Sequence, residues 1–539
     1  MSLLLTLLRQ RARRDWLQLL LWIGGLGLLA VVSVGALDTT YGDETERKDI
    51  LTIAVASRTV LVFRGTPNGA DAPAFAFFQL FTWLAVMAGL MASFLAVRHT
   101  RAEEEAGRAE LVGATPAGRV LPTIATVVHG LLAVIGLGFA LALALAAGGL
   151  PLEGSLVFGA AVAAAGAAFL GFGLFAAQLF RTGRGANGIG VAFVLGSYLM
   201  RGVGDAAGTP SDDLLHVTPA WPTYLSPIGW GQLTGAYVDD DLLPLLVPLV
   251  FAAVCVIAVI LLLSVRDMGA SLLPGAKGRA TAGPILSSSF GLAWRLNQST
   301  LWSWTIGAVA TGLLATSLTG LVDQLAGEAP AVMDTLRAAI GEDATLEQAF
   351  VGTFFSLIGI LAACCAVQVG IRARQEEVHG TAEAVLATRV PRLRWILEYA
   401  IVGVAVIVVV LAAAGAAGSL GALTSDSPGG LLALVWEAAA AQLPVSLVFL
   451  GLTLVVFAVI PHATIPLAWT VVGVSAMIGF FGPLFGLPEG VVDLSPFAHS
   501  PLPTGDETDW TGGLWLLGIG VILTVFGVVA ADRRELTTG

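Results

Sequence analysis

Apolar runs long enough to cross a bilayer recur along the whole of this 539-residue chain, and no other feature limits its fold so tightly. About 20 consecutive apolar residues span the hydrocarbon core as a helix, because lipid offers the backbone no hydrogen-bond partner. Only 12% of the residues are charged, against about 25% in soluble domains. A transmembrane barrel would show short alternating segments, and none dominate. The pattern predicts an all-α polytopic membrane protein with twelve spans, at 16–37, 74–97, 120–148, 154–180, 187–203, 243–264, 301–322, 348–371, 394–420, 430–459, 463–483 and 513–531.

An even number of spans puts both termini on one side. That side carries 21 of the 27 Lys and Arg, in 1–14, 98–119, 181–184, 266–295, 372–394 and 533–534. Positive charge is retained in the cytoplasm during insertion, so this is the expected cytoplasmic face of a plasma-membrane protein. The opposite loops are acidic: Asp43, Glu44 and Glu46; Asp239 to Asp241; Glu342, Asp343 and Glu347; Asp506, Glu507 and Asp509. The first apolar run is too long for a signal peptide, and no small-residue cleavage site follows it. Cys255, Cys364 and Cys365 all fall in predicted spans and offer neither a disulfide framework nor metal-ligand spacing.

A charged segment occurs twice. Arg101 to Arg119 and Arg374 to Arg392 align without a gap at an offset of 273 and share ten of nineteen residues. The shared positions include Arg101/Arg374, Glu103/Glu376, Glu104/Glu377, Gly107/Gly380 and Glu110/Glu383. Each copy lies between two spans, so it reads as a water-facing helix presented twice to a soluble partner. Its acids are equally what a solvated connector uses to pair with nearby arginines. The paired glycines are expected to admit close backbone approach by a partner. At the same offset Phe77 and Phe81 match Phe350 and Phe354, and Ser226-Pro227 matches Ser495-Pro496 at an offset of 269. Amphipathic stretches, Leu3 to Arg14 and Phe290 to Gln298, open the two halves and read as helices lying on the membrane surface. The halves, 1–283 and 284–539, are thus expected to be parallel six-span repeats joined by the Gly- and Ala-rich stretch 269–286.

Chemistry-bearing motifs are few. A Walker A loop needs Gly-Lys-Ser/Thr; the two lysines, Lys48 and Lys277, do not follow a glycine. No HExxH, no nucleophile elbow and no Cys/His cluster is present, so an enzyme is not expected. Glu437 falls within the tenth span, Glu398 near the inner end of the ninth and Arg201 near the outer end of the fifth. Charges at such depth face protein or water; Glu437 is the candidate to meet a cationic cargo, or else it makes a structural hydrogen bond. The i, i+4 pairs Phe77/Phe81 and Phe350/Phe354 offer flat apolar surface to a ligand, or pack between helices. His129, His379 and His462 stand isolated in sequence and receive no role.

These features together resemble the transmembrane subunit of a type-2 ATP-binding-cassette (ABC) exporter. The surface helix before the first span, the charged segment between spans two and three, and the Ser-Pro region before span six carry the resemblance. More narrowly, the chain resembles actinobacterial antibiotic and multidrug exporter permeases with two six-span halves fused. The resemblance implies that Arg101, Glu103, Glu104, Gly107, Glu110 and Arg374, Glu376, Glu377, Gly380, Glu383 couple the permease to two copies of a separate P-loop ATPase. ATP and Mg would belong to that partner and no cofactor to this chain. It also implies cargo near spans two and five, which makes Phe77, Phe81, Phe350, Phe354 and Glu437 the expected cavity residues. Hydrophobic or amphipathic compounds, antibiotics, drugs or lipids, are the implied cargo. The second half departs at Val378 and Thr381, where the first has Glu105 and Arg108. An ion-coupled secondary transporter is the alternative, since it too would show a two-fold repeat; it would need ionisable groups along a path, and only Glu398 and Glu437 offer them. No nucleic-acid partner is expected.

Overall fold

A computed structural model of the protein describes residues 3–37, 41–56, 58–267, 269–273, 281, 283–317, 345–423, 428–481, 488–503 and 508–535. Helix makes up nearly all the regular structure; β1 (Thr209–Pro210) and β2 (Val217–Thr218) form one short antiparallel pair. Contacts divide the chain into two compact units, Met1–Lys277 and Gly278–Gly539.

The first unit is built from α1 (Leu3–Gly35), α2 (Ala72–Arg98), α3 (Arg101–Glu105), α4 (Arg108–Gly113), α5 (Val120–Ala147), α6 (Leu152–Leu179), α7 (Gly183–Ala206), the short α8 (Pro227–Gln232) and α9 (Leu246–Val265). No glycine or proline interrupts α1 before Gly24, so the amphipathic stretch Leu3 to Arg14 is not a separate surface helix. It runs straight into the first span. The helices α2 and α6 are buried on most sides and form the centre of the unit. By contrast α1 and α9 leave Trp16, Leu17, Leu20, Leu21, Leu249, Leu261 and similar residues exposed, as lipid-facing helices do. Close approach between α5 and α6 depends on Gly138 and Gly159. A Cβ on Gly138 would lie 2.4 Å from the Gly159 carbonyl oxygen, and one on Gly159 would lie 2.2 Å from that of Gly138. Small residues substitute for hydrophobic driving force here, because lipid is as apolar as the helix surface.

The second unit comprises α10 (Ser289–Ser317), α11 (Leu346–Val378), α12 (Thr381–Leu386), α13 (Arg392–Ala422), α14 (Pro428–Ala441), α15 (Leu443–Val459), α16 (Thr464–Ala476) and α17 (Thr511–Arg533). Phe290 to Gln298 again lies inside a longer helix, α10. Thr345 and Gln348 form a reciprocal capping box that starts α11. The tenth predicted span is interrupted at Gln442, with Pro444 just inside the start of α15.

Among the described residues ten helices are long and apolar enough to cross a membrane. The chain is thus a polytopic all-α membrane protein. The fifth and seventh predicted spans fall outside those ten, although α7 and α10 are 24 and 29 residues long. In α7 the polar residues Asn187 and Arg201 lower the hydropathy, while the helix described for the seventh span stops at Ser317, five residues short of the predicted end. The end of the seventh span (318–322) and the acidic positions Glu342, Asp343, Asp506 and Glu507 lie outside the described residues.

Candidate coupling site

Each charged repeat folds as a short helix, a turn and a second short helix. Gly107 and Gly380 make the turn, at φ 71° in both. A side chain in that left-handed region costs about 1–2 kcal/mol, which only glycine escapes. Nothing lies within 4 Å of where a Cβ would stand on either residue. The glycines are therefore matched for backbone conformation, and within this chain nothing packs against either of them.

The acids at the repeat divide into two kinds. Glu104 is held by Arg101, three residues before it, at 2.8 Å and by Arg266, beyond the last span of its unit, at 2.6 Å. Glu377 is held in the same way by Arg374 at 3.3 Å and by Arg534 at 2.6 Å. Both nitrogens of the Arg534 fork donate to the two Glu377 oxygens. Arg101 and Arg374 are almost fully buried. Arg101 also donates to the carbonyl oxygens of Ala177, near the end of α6, and Ala270. At offset-matched positions, Arg119 donates to the carbonyl of Arg266 and Arg392 to that of Arg534. An Arg–Glu–Arg bridge thus bolts each charged turn to the exit of its own unit's last span.

The remaining acids face outward or pair locally. Glu103 pairs with Arg108 at 2.7 Å and with Arg14 of α1, and this holds the Arg108 guanidinium above its ordinary pKa. Glu376 pairs with Arg372 at 2.8 Å and accepts from the Thr381 hydroxyl. Glu110 and Glu383, in the first turns of α4 and α12, are exposed. Beside Glu110, Leu111 is 74% exposed. Glu105 accepts from the Gly183 amide at the start of α7, a link that Val378 cannot make in the second unit.

The serines of the two Ser-Pro pairs do one job. Ser226 donates to the Ser197 carbonyl and caps Ile228 and Gly229; Ser495 donates to the Ser475 carbonyl and caps Phe497. Each ties the polar stretch after a span back to that span.

The expected cavity residues are placed differently in the two units. Phe77 and Phe81 are buried, stacked at 4.8 Å between centroids and met edge-on by Phe158 of α6, so helix packing occupies both rings. Phe350 and Phe354 on α11 and Glu437 on α14 are half-buried. Glu398 accepts from Ser289 and pairs with Arg394 at 3.0 Å, a structural role.

Sequence reasoning missed a buried polar cluster. Asp15 of α1, His99 at the end of α2 and His129 of α5 converge, all buried. One Asp15 oxygen bonds the Nε2 atoms of both histidines, at 3.0 Å to His129. Arg98 Nε lies 3.2 Å from the other oxygen. The three ligand atoms are close enough to hold a metal ion. However, Arg98 already compensates the carboxylate and Arg11 lies one turn away on α1, so a cation would meet two guanidinium charges. The cluster is better suited to pin α1 against α2 and α5. Its sequence signal was an acid and a histidine in apolar helices, each requiring a partner.

Membrane-spanning helices arranged in two units, each with a bolted, charged turn at the end of its second span, define a polytopic membrane permease. Comparison with known proteins places it more closely. The chain is 34% identical over 538 residues to the Multidrug efflux system permease protein Rv1217c of Mycobacterium tuberculosis, across 99% of this chain and 95% of that one. Residues 286–531 match the family described as Multidrug efflux system permease Rv1217c, C-terminal domain. The chain belongs to this family of efflux permeases, in agreement with the resemblance to type-2 ABC permeases.

Proposed function

We propose that this chain is the membrane subunit of an ATP-driven exporter of hydrophobic or amphipathic compounds, with drugs or antibiotics as the first cargo class to test. The relative's name, a multidrug efflux permease, supports the cargo class. ATP and Mg act in a separate P-loop ATPase, present as two copies, one under each charged turn, and both termini of the permease lie in the cytoplasm. The observation that carries this reading is the Arg–Glu–Arg bridge made twice. A push on α4 or α12 is transmitted through a buried ion pair to the last span, because a paired buried charge is costly to separate. Glu110, Leu111 and Glu383 are the exposed groups that receive the push. Phe350, Phe354 and Glu437 are the proposed cargo contacts.

The test is purification of the full chain from its native membranes in mild detergent, with mass spectrometry of what accompanies it. An ATPase at about two copies per permease, lost with Glu110→Arg plus Glu383→Arg at unchanged permease yield, supports the reading. A permease that purifies alone and transports under an ion gradient without ATP overturns it in favour of the ion-coupled alternative.

A further inference from the structure

A groove of about 300 Å³ opens in the first unit between α1, the charged turn α3–α4, the start of α5 and the end of α9. Five arginines line it, Arg11, Arg14, Arg108, Arg119 and Arg266, against two acids, Glu103 and Glu104. Both acids are already paired, Glu103 with Arg14 and Arg108, and Glu104 with Arg101 and Arg266. That leaves the groove with an excess of positive charge. Leu7, Leu111, Val112 and Leu263 supply an apolar wall.

Two of the arginines are more than nine-tenths buried and incompletely bonded. Arg11 donates through Nη2 to the Pro122 carbonyl at 2.7 Å, but its Nη1 has no acceptor. Arg266 bonds Glu104, but its Nε has none. A buried N–H without an acceptor is costly, and a guanidinium is most cheaply satisfied by an anionic oxygen. Arg119 is exposed at the rim.

Depth in the membrane decides what kind of anion fits. Trp16, 61% exposed and next but one to Arg14 on α1, marks the interfacial level at which tryptophan settles. Leu17, Leu20 and Leu21, just beyond it, are exposed as lipid-facing residues. The groove therefore sits at headgroup level, cationic within and bordered by acyl-chain surface. We infer that it holds the phosphate of an anionic glycerophospholipid from the leaflet on the arginine-rich side, bridging α1 and the charged turn. At the offset of 273 the groove's Arg108 is matched by Thr381 in the second unit and its Arg119 by Arg392.

Native mass spectrometry of the full chain tests this. The protein is delipidated and given phosphatidylglycerol, phosphatidylcholine or inorganic phosphate. The expected result is one firmly retained phosphatidylglycerol per chain, not matched by phosphatidylcholine and not displaced by millimolar inorganic phosphate. Arg119→Gln, which gives up only a 3.4 Å bond to the Arg266 carbonyl within the protein, should weaken retention about tenfold, the scale of one charge-assisted hydrogen bond, with an unchanged unfolding midpoint as the check on the fold. Arg11→Gln should weaken it at least as much, with Arg184→Gln as the unaffected control. Equal retention in wild type and Arg119→Gln overturns the inference. So does equal retention of phosphatidylcholine, which would make the groove merely apolar. Displacement by inorganic phosphate would make it a free-phosphate site and likewise overturn it.

Discussion

Replacing Glu377 by Gln keeps the side chain's shape and removes only its charge. In the folded unit that carboxylate is 1% exposed and faces Arg534 at 2.6 Å, Arg374 at 3.3 Å and Arg392 at 4.0 Å. Three guanidinium groups would lose their shared counter-charge. Breaking a buried pair by removing one partner costs about 3–5 kcal/mol, because the remaining charge stays buried and uncompensated. For a unit of this size that corresponds to a fall of roughly 6–20 °C in the unfolding midpoint. Glu383→Gln, six residues away and exposed, should change stability by less than about 0.5 kcal/mol. Thermal unfolding of the purified chain, followed by tryptophan fluorescence in one detergent, compares them directly. The double variant Glu377→Gln/Arg534→Gln should be less destabilised than the sum of the single variants, since both remove one interaction. Equal midpoints for Glu377→Gln and wild type, or strict additivity in the cycle, would refute the claim that the turn is bolted to the last span.

Other substitutions probe the remaining devices. Gly107→Val and Gly380→Val should each cost about 1–2 kcal/mol through the left-handed turn, with Asn better tolerated at both, as read by the same unfolding assay. Asp15→Leu alone should destabilise the first unit by several kcal/mol, about 3–5, while Asp15→Leu with His129→Val should be milder than the two costs added; a cycle showing no coupling would dismiss the cluster as a clamp. Gly159→Ala should cost about 1–3 kcal/mol through its clash with the Gly138 carbonyl, whereas Gly188→Ala, with nothing within 4 Å of its added Cβ, should be near neutral.

The membrane class was legible because hydropathy reports it at every position. The charged repeat was legible too, as a pattern shared by Glu103, Glu104 and Gly107 with Glu376, Glu377 and Gly380. What the pattern could not convey was direction. Glu104 and Glu377 look like partner-facing acids in a row of acids, yet they turn inward because Arg266 and Arg534 arrive from more than 150 residues downstream. The pairing of Gly107 with Gly380 is visible in the sequence, but that both sit in a left-handed turn shows only in φ. The Asp15 cluster was hidden because its members lie on three helices, 84 and 114 residues from Asp15. The amphipathic stretches Leu3 to Arg14 and Phe290 to Gln298 read as surface helices, but a change from polar to apolar residues does not break a helix, and each continues into its span. Span five shows the reverse: Asn187 and Arg201 lower its hydropathy without preventing a 24-residue helix.

The bridges also impose an order on biosynthesis. Glu104 is inserted with its arginine Arg101 nearby, but Arg266 is made 162 residues later, and Glu377 waits 157 residues for Arg534. Until the ribosome has delivered the final helix of a unit, its charged turn is held from one side only. Each half therefore closes its own bridge only once its last helix is in place, so a chain truncated before that helix would hold its charged turn more loosely.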